Sequence, residues 1–251
     1  MILGILQART SSSRLSEKVL KPLLGVPMLL RQIERLKRSR RIDKLIVATS
    51  ELQDDDPIEK ICQKESIDCF RGSLDDVLDR FYQAAQKTQA RQIVRLTGDC
   101  PLADPGLIDQ IIEFHLRGGY DYTSNAFEPT YPDGLDAEVL TYSCLKRMWK
   151  EAALKSEREH VTAFIYHHKE KFRIGNFKSP IDYSRLRWTV DESEDFELIT
   201  KIYEALYFRN PEFDWQDVLN WLKRHPEMTK INEHVGRNEG YAKSRAKETL
   251  C

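Results

Sequence analysis

Residues 2–27 read ILGILQARTSSSRLSEKVLKPLLGVP, and the rest of the chain is organised around them. The apolar run at residues 2–6 is short enough to be a buried strand. Four cations then follow within thirteen residues, separated by small polar residues that favour a loop: Arg9, Arg14, Lys18 and Lys21. Ligands of an open α/β sheet bind beyond the carboxyl ends of its strands, so this loop is placed to hold a polyanion such as a nucleoside triphosphate. A solvated basic turn is the other interpretation of the same charges.

Length and composition bound the class of protein. The chain has 251 residues, 41 % of them hydrophobic, which suits one large α/β domain or two small ones. No linker or repeat divides it, so we expect one domain over residues 1–251, with a core at about 1–210 and a polar extension at 228–251. A net charge of −1 gives no sign of a nucleic-acid partner. The lack of an apolar run of ~18 residues gives no sign of a membrane partner. Five scattered cysteines favour free thiols in a reducing cytoplasm.

The periodicity of the apolar residues predicts alternating strands and helices. Strands are expected at residues 2–6, 44–48, 66–70, 92–97, 120–123 and 172–177, with a last sheet strand at 186–190. Helices are expected at residues 28–38, 105–116, 142–153, 196–206 and 215–224. Further helices are expected to begin at an Asp56 N-cap and at a capping box of Ser156 with Glu159, although a metal site at the acidic run 54–56 is an alternative. The pattern predicts an α/β fold with a mainly parallel, Rossmann-like sheet.

Particular residue types stand in the first loop: Gln7-Ala8-Arg9, then Arg14-Leu15, then Lys18, then Gly25-Val26-Pro27-Met28. This series resembles the signature of the sugar nucleotidyltransferases that make CMP-activated acidic sugars, namely CMP-Kdo synthetases and acylneuraminate cytidylyltransferases, and in particular the branch typified by the spore coat polysaccharide biosynthesis protein SpsF. One departure is that the family's Arg-Leu-Pro-Gly-Lys reads RLSEK at residues 14–18, which keeps the charged ends but loosens the turn and adds an acid.

The resemblance implies the nucleotide-diphospho-sugar transferase fold, which is GT-A-like, and a nucleotide site in the first loop. It assigns nucleotide binding there to Gln7, Ala8, Arg9, Ser13, Arg14 and Lys18. It assigns catalysis to the three cations Arg9, Arg14 and Lys18.

A second motif ends the strand expected at residues 92–97. Thr97-Gly98-Asp99-Cys100-Pro101 resembles the family's Gly-Asp-x-Pro motif, whose aspartate binds the catalytic metal, and Thr97, Gly98 and Asp99 are therefore assigned to the nucleotide site. Asp191 stands where the family has its second metal carboxylate. Mg²⁺ takes one or two carboxylates together with phosphate oxygens, so the resemblance implies Mg²⁺ held by Asp99 and Asp191. A turn aspartate and a helix cap are the other interpretations.

Two further regions are assigned by the resemblance to the base and to the sugar. The SpsF branch carries Arg-Gly-Ser-x-x-Asp-Val-Leu where this chain has residues 71–78, and the base candidates are Arg71, Gly72, Ser73 and Asp76. Blocks at residues 131–138 and 157–162 also recur in that branch, and the sugar candidates are Asp133, Asp136, Glu138, Arg158 and His160. Carboxylates accept hydrogen bonds from sugar hydroxyl groups. Helix-start acidity, a hairpin loop and helix capping explain the same residues without a ligand.

The resemblance implies that CTP and an acidic sugar, such as a nonulosonate or Kdo, give a CMP-sugar and pyrophosphate for surface polysaccharide biosynthesis. We expect a cytoplasmic homodimer that uses part of residues 125–177, because the resembling synthetases are commonly dimers. Three alternatives stay open: a guanylyltransferase of the same branch, a metal-dependent glycosyltransferase on the same fold, and a binding protein without turnover. Release of pyrophosphate from CTP distinguishes the cytidylyltransferase from all three.

Overall fold

The computed structural model describes residues 1–12 and 14–236. Within them the nine strands are β1 (Ile2–Gln7), β2 (Pro22–Leu23), β3 (Val26–Pro27), β4 (Lys44–Ser50), β5 (Asp68–Gly72), β6 (Gln92–Thr97), β7 (Tyr122–Ser124), β8 (Glu138–Thr141) and β9 (Ile174–Asn176). The α-helices of the same residues are α1 (Met28–Leu36), α2 (Asp56–Lys64), α3 (Val77–Thr88), α4 (Pro105–Gly118), α5 (Tyr142–Glu151), α6 (Lys155–Glu159), α7 (Ala163–His167), α8 (Ser193–Leu206) and α9 (Trp215–Arg224). Ser13 and most of the polar extension expected at 228–251 lie outside the described residues.

Seven of the strands form one mostly parallel sheet, as the sequence predicts. Their order is β5-β4-β1-β6-β8-β7-β9, and β2 pairs with β3 in a separate small hairpin. The first four strands of this order are parallel, β8 runs antiparallel to both of its neighbours, and β9 is parallel to β7. Because β1 and β6 are parallel neighbours, the loops that carry the two family motifs leave the sheet at the same edge.

Helices cover both faces of the sheet, which explains why β1 is apolar on both sides. Leu3 and Ile5 lie in a buried cluster with residues of α3 and α5. Leu6 lies in a second cluster with residues of α1, α4 and α8. No helix among the described residues has the length and apolar character needed to cross a membrane.

The strand predicted at residues 186–190 is wrong. Its residues join no strand of the sheet, and Arg187 forms only an isolated bridge with Asp133, which also lies outside the strands. The segment crosses the carboxyl edge of the sheet, and there the Val190 N–H donates to the backbone carbonyl oxygen of Asp99 at 2.8 Å. The apolar pattern has another cause, because Trp188 and Val190 are buried in the core next to α8.

Two predicted helix starts are also displaced. Helix α2 begins at Asp56 itself, and the carboxylate of Asp55 is buried, where it accepts hydrogen bonds from the backbone N–H groups of Thr10 at 2.7 Å and Ser50 at 3.1 Å. Helix α6 begins at Lys155 and ends at Glu159, so Ser156 lies inside the helix and does not cap its start. The capping box predicted from Ser156 is therefore wrong. Asp55 therefore anchors the loop after β1 instead of holding a metal.

The buried imidazole of His115 predicts a pH dependence of stability. Its ring nitrogens contact Thr123 Oγ1 at 3.0 Å and Gln92 Oε1 at 3.1 Å, and burial lowers its pKa to about 4. In the unfolded chain the imidazole takes up a proton near pH 6.5, whereas in the folded protein it stays neutral until about pH 4. The folded protein is therefore most stable above pH 6.5 and loses stability as the pH falls towards 4. We expect the free energy of unfolding to fall by about 3 kcal/mol over that range for this group alone. Denaturant titrations that give the same pH dependence for His115→Gln and the parent would contradict the assignment.

Candidate active site

Three segments meet at the carboxyl edge of the sheet: the loops after β1 and β6 and the segment before α8. The Gly98 N–H donates to the carbonyl oxygen of Gln7 at 2.8 Å. A Cβ atom on Gly98 would lie 3.0 Å from that oxygen, so glycine permits this close approach. The bond from Val190 to the carbonyl of Asp99 places the next residue, Asp191, beside Asp99.

The ammonium group of Lys18 lies between the two predicted metal carboxylates. Its Nζ is 3.1 Å from Asp99 Oδ2 and 2.8 Å from Asp191 Oδ1. It also donates to the carbonyl oxygen of Val190 at 2.9 Å. The structure thus brings together three residues that the sequence analysis selected from separate motifs.

The charges of this group stabilise one another. Burial lowers the pKa of Lys18, but the carboxylates of Asp99 and Asp191 outweigh burial and leave that pKa above its ordinary value. Burial raises the pKa of Asp99, but the Lys18 cation and a hydrogen bond from Thr97 outweigh it and bring that pKa to about 2. Asp99 is therefore an ionised carboxylate and Lys18 a cation at neutral pH.

Asp191 is oriented by two arginines. Its Oδ1 accepts from Lys18 and lies 3.0 Å from Arg14 Nη2, while its Oδ2 lies 2.9 Å from Arg187 Nη2. Arg187 is buried and also pairs with Asp195 at 2.9 Å and with Asp133 at 3.0 Å. The guanidinium groups of Arg14 and Arg187 therefore hold the two oxygens of the Asp191 carboxylate in a fixed direction.

The donor set at Asp99 and Asp191 fits a divalent cation of the Mg²⁺ type. Each carboxylate already presents one oxygen to the same positive charge, the Lys18 ammonium. Mg²⁺ is bound in many phosphate-handling sites by one or two carboxylates, with phosphate oxygens and waters as its other ligands. Among the described residues no cluster of three or more His, Cys, Asp or Glu side chains could hold a metal.

The remaining nucleotide candidates of the first loop differ in their surroundings. Arg9 is exposed at the end of β1, whereas Ala8 is buried there. Arg14 also lies 3.3 Å from Glu192 Oε1. Ser13 lies outside the described residues, so its predicted contact stays a prediction.

The base candidates make contacts within the protein. Arg71 pairs with Asp56 and Glu59, each at 2.7 Å. Asp76 caps α3 by accepting from the Asp79 N–H at 2.9 Å, and it pairs with Arg158, one of the sugar candidates, at 2.5 Å. Ser73 Oγ accepts from the Asp76 N–H at 3.1 Å. Base recognition by Gly72 and these neighbours stays a prediction.

A cavity of about 450 Å³ adjoins the Asp99–Asp191 pair. Its lining includes four of the five sugar candidates, namely Asp133, Asp136, Glu138 and His160. Arg158 is not among the lining residues, because its guanidinium faces Asp76 and the carbonyl oxygen of Trp149. The cavity thus places the predicted sugar residues next to the predicted metal residues.

Sequence reasoning missed two arginines that line this cavity, Arg95 and Arg187. Arg95 stands in β6 among buried apolar residues, and Arg187 stands beside the buried Trp188. The available signal was the charge itself, because an arginine within a buried segment needs a partner or a function.

Comparison with known proteins places these features in a family. Residues 3–247 match a family model described as cytidylyltransferase. The chain is 35 % identical over 239 residues to the spore coat polysaccharide biosynthesis protein SpsF of Bacillus subtilis, covering 92 % of this chain and 98 % of that protein. It is similar to a solved cytidylyltransferase from Leptospira borgpetersenii serovar Hardjo-bovis, with a TM-score of 0.87, 32 % identity, and coverage of 91 % of this chain and 96 % of that one. A CMP:2-keto-3-deoxy-manno-octonic acid synthetase complexed with CTP shares the fold, with a TM-score of 0.64, 15 % identity, and coverage of 81 % and 98 %.

Proposed function

Because this chain belongs to the cytidylyltransferase family, we propose that it transfers the cytidylyl group of CTP to a hydroxyl group of an acidic sugar and releases pyrophosphate. The similarity to SpsF supports a sugar acceptor and a role in polysaccharide biosynthesis, and the synthetase solved with CTP supports the nucleotide. The observation that carries the proposal is the convergence of Lys18, Asp99 and Asp191 beside a cavity of about 450 Å³. That volume is in the usual range for small-molecule sites.

The reaction is a displacement at phosphorus. The oxygen of a sugar hydroxyl bonds to the α-phosphorus of CTP while the bond from that phosphorus to the bridging oxygen of the β-phosphate breaks. The electron pair of the broken bond leaves with pyrophosphate, and the hydroxyl proton passes to water. Catalysis of such a step depends mainly on positioning the reactants and on stabilising the negative charge.

The residues around Asp191 have different roles in this transfer. Asp99 and Asp191 would hold Mg²⁺, which when bound neutralises phosphate charge. Arg14, 3.0 Å from Asp191, can donate to two phosphate oxygens through its planar fork. Lys18 carries a movable point charge on a flexible stem, so its ammonium can turn from the carboxylates to the oxygens of the leaving pyrophosphate.

Lys18→Ala should lower turnover by roughly two to three orders of magnitude while CTP binding changes less, as expected for the loss of one transition-state donor. Arg14→Ala should weaken binding as well as turnover, because a planar fork also holds the ground-state phosphates. Lys18→Arg should not restore activity, since the guanidinium demands a different geometry. CTP affinity by calorimetry and turnover by pyrophosphate release measure the two effects separately.

Lys21→Ala is the matched control for Lys18. Lys21 lies in the same segment, but its Nζ is 5.6 Å from the ring centre of Phe196, away from the two carboxylates. This variant should bind and turn over CTP like the parent. If Lys18→Ala also behaves like the parent, the first loop is a basic surface turn and the catalytic role of Lys18 is wrong.

A panel of the four nucleoside triphosphates against sugars and sugar phosphates tests the reaction itself. We expect pyrophosphate release with CTP and an acidic sugar acceptor, dependent on Mg²⁺. Faster release with GTP would assign the chain to guanylyl transfer instead. Nucleotide binding without pyrophosphate release from any combination would contradict the proposed activity.

A further inference from the structure

The floor of the cavity carries an ion pair that spans two strands. Arg95 on β6 and Glu138 on β8 are direct partners in the antiparallel register, and Arg95 Nη1 donates to Glu138 Oε2. Both side chains line the cavity next to the Asp99–Asp191 pair. Directly opposed residues of neighbouring strands face the same side of the sheet, so this pair belongs to the sheet itself and not to a loop.

Both oxygens of Glu138 are already engaged by donors of the protein. Its Oε1 accepts from Thr162 Oγ1 at 2.8 Å and from the hydroxyl of Tyr122, while its Oε2 accepts from Arg95. The Glu138 side chain is only 8 % exposed. Glu138 is therefore better suited to holding Arg95 in place than to accepting hydrogen bonds from a sugar.

Arg95 keeps donors that no described residue of the protein uses. Its Nε is buried without a hydrogen-bond partner, and among the described residues its guanidinium donates only through Nη1, to Glu138. Its side chain is 18 % exposed, more than that of Glu138, and it lines the cavity. The unused edge, Nε with Nη2, is the planar fork that matches a carboxylate through two parallel hydrogen bonds.

The position of Arg95 along β6 suits a sugar that reacts at the carboxylate pair. Thr97 lies two residues further along the same strand, on the same face, and its hydroxyl lies 3.3 Å from Cys100 Sγ in the loop that carries Asp99. Two strand residues span about 7 Å, roughly the width of one monosaccharide. A sugar whose anionic group binds Arg95 can therefore place a hydroxyl group beside Asp99.

We infer that Arg95 is the residue that recognises the carboxylate of the acceptor sugar, and that Glu138 and Tyr122 position its guanidinium. This assignment rests on the proposed transfer of a cytidylyl group to a sugar, and it adds the residue that selects an acidic acceptor. Loss of a hydrogen bond to a charged group costs on the order of tenfold to a hundredfold in affinity. That factor should appear in the KM for the acceptor and not in the KM for CTP.

The test compares an acidic acceptor with its neutral primary amide in three proteins. The parent should prefer the acid on the basis of kcat/KM. Arg95→Lys should raise the KM for the acid by roughly tenfold to a hundredfold, because it keeps the charge but loses the fork. Arg95→Met/Glu138→Gln removes both charges of the pair and avoids burying one alone, and it should lose the preference for the acid. CTP KM should stay within about twofold of the parent in both variants.

A surface pair gives the matched control. Arg41 and Glu113 lie 2.6 Å apart on the outside of the protein, so Arg41→Met/Glu113→Gln makes the same chemical change far from the cavity and should alter neither KM.

If the parent uses acid and amide equally, or the Arg95→Met/Glu138→Gln variant keeps the preference, the role of Arg95 is wrong while cytidylyl transfer stands. If the parent forms no CMP-sugar with any acceptor, the proposed function fails and the inference fails with it. If the double variant does not fold, the parent's acid-to-amide ratio and Arg95→Lys decide the question.

Discussion

Asp99→Asn and Asp191→Asn should each remove nearly all turnover and leave the fold intact. Asparagine keeps the size of the side chain but removes the negative charge that holds Lys18 at 3.1 Å from Asp99 and at 2.8 Å from Asp191. The same charge would hold Mg²⁺, whose effect on a phosphoryl transition state is worth several kcal/mol, or roughly two to four orders of magnitude in rate. Pyrophosphate release at saturating CTP and Mg²⁺ measures the loss, and thermal melting checks the fold.

Combining the two substitutions should add little to either one, because residues that act as a unit are non-additive. Asp109→Asn is a suitable control, since this aspartate lies on α4, where it accepts hydrogen bonds from the Ser39 hydroxyl and the Arg40 N–H. It should turn over CTP like the parent. Parent-like turnover in either Asp99→Asn or Asp191→Asn at saturating Mg²⁺ would show that the carboxylate pair is not the metal site.

Arg187→Met should destabilise the protein by about 3–5 kcal/mol, the usual cost of breaking a buried ion pair by removing one partner. Arg187 contacts three carboxylates, those of Asp133, Asp191 and Asp195. Methionine fills much of the space but leaves Asp195, which is 0 % exposed, without its cation. Arg187→Lys should fall between the parent and Arg187→Met, because lysine keeps the charge without the fork. Denaturant unfolding at neutral pH gives these differences.

The same variant has a pH signature that a loss of packing would lack. Burial raises the pKa of Asp195, but hydrogen bonds from Arg187 and from the backbone outweigh burial and leave that pKa below its ordinary value. A lowered carboxyl pKa stabilises the fold above the pKa of the unfolded chain, and that contribution is lost as the pH falls towards the folded-state value. The stability difference between the parent and Arg187→Met should therefore stay constant from pH 7 to about pH 4 and narrow as the pH falls further.

Arg147→Met controls for the loss of an arginine as such. Arg147 forms an exposed ion pair with Glu151 at 2.9 Å on α5. Exposed pairs contribute at most about 1 kcal/mol, so this variant should be close to the parent. A stability difference for Arg187→Met that is equally small, or that does not change with pH, would mean that Arg187 is not the cation on which the three carboxylates depend.

The sequence by itself determined the elements that depend on neighbouring residues. The apolar runs of β1 and β4 predict buried strands, because burial on both faces of a parallel sheet favours a continuous run of apolar side chains. Asp214 directly precedes the helix expected at residues 215–224, and aspartate is a preferred residue at the start of a helix. In the structure the Asp214 carboxylate accepts hydrogen bonds from two backbone N–H groups at the start of α9. The cations after β1 and the glycine after β6 marked the edge of the sheet where the candidate site lies.

Only the tertiary structure decided which of these residues meet. Lys18 contacts Asp99 across 81 residues and Asp191 across 173, and such contacts depend on strand order, which no local pattern reports. A buried Trp188 gives the same apolar pattern in a strand as in a segment that crosses the sheet edge. The pattern could not separate the two, and the strand that it predicted at residues 186–190 was wrong. The Arg95–Glu138 pair follows from the register of β6 against β8, and a shift of one residue would turn one of the two side chains to the opposite face. Apolar periodicity reports how deeply a side chain is buried, whereas register and crossover determine its partners.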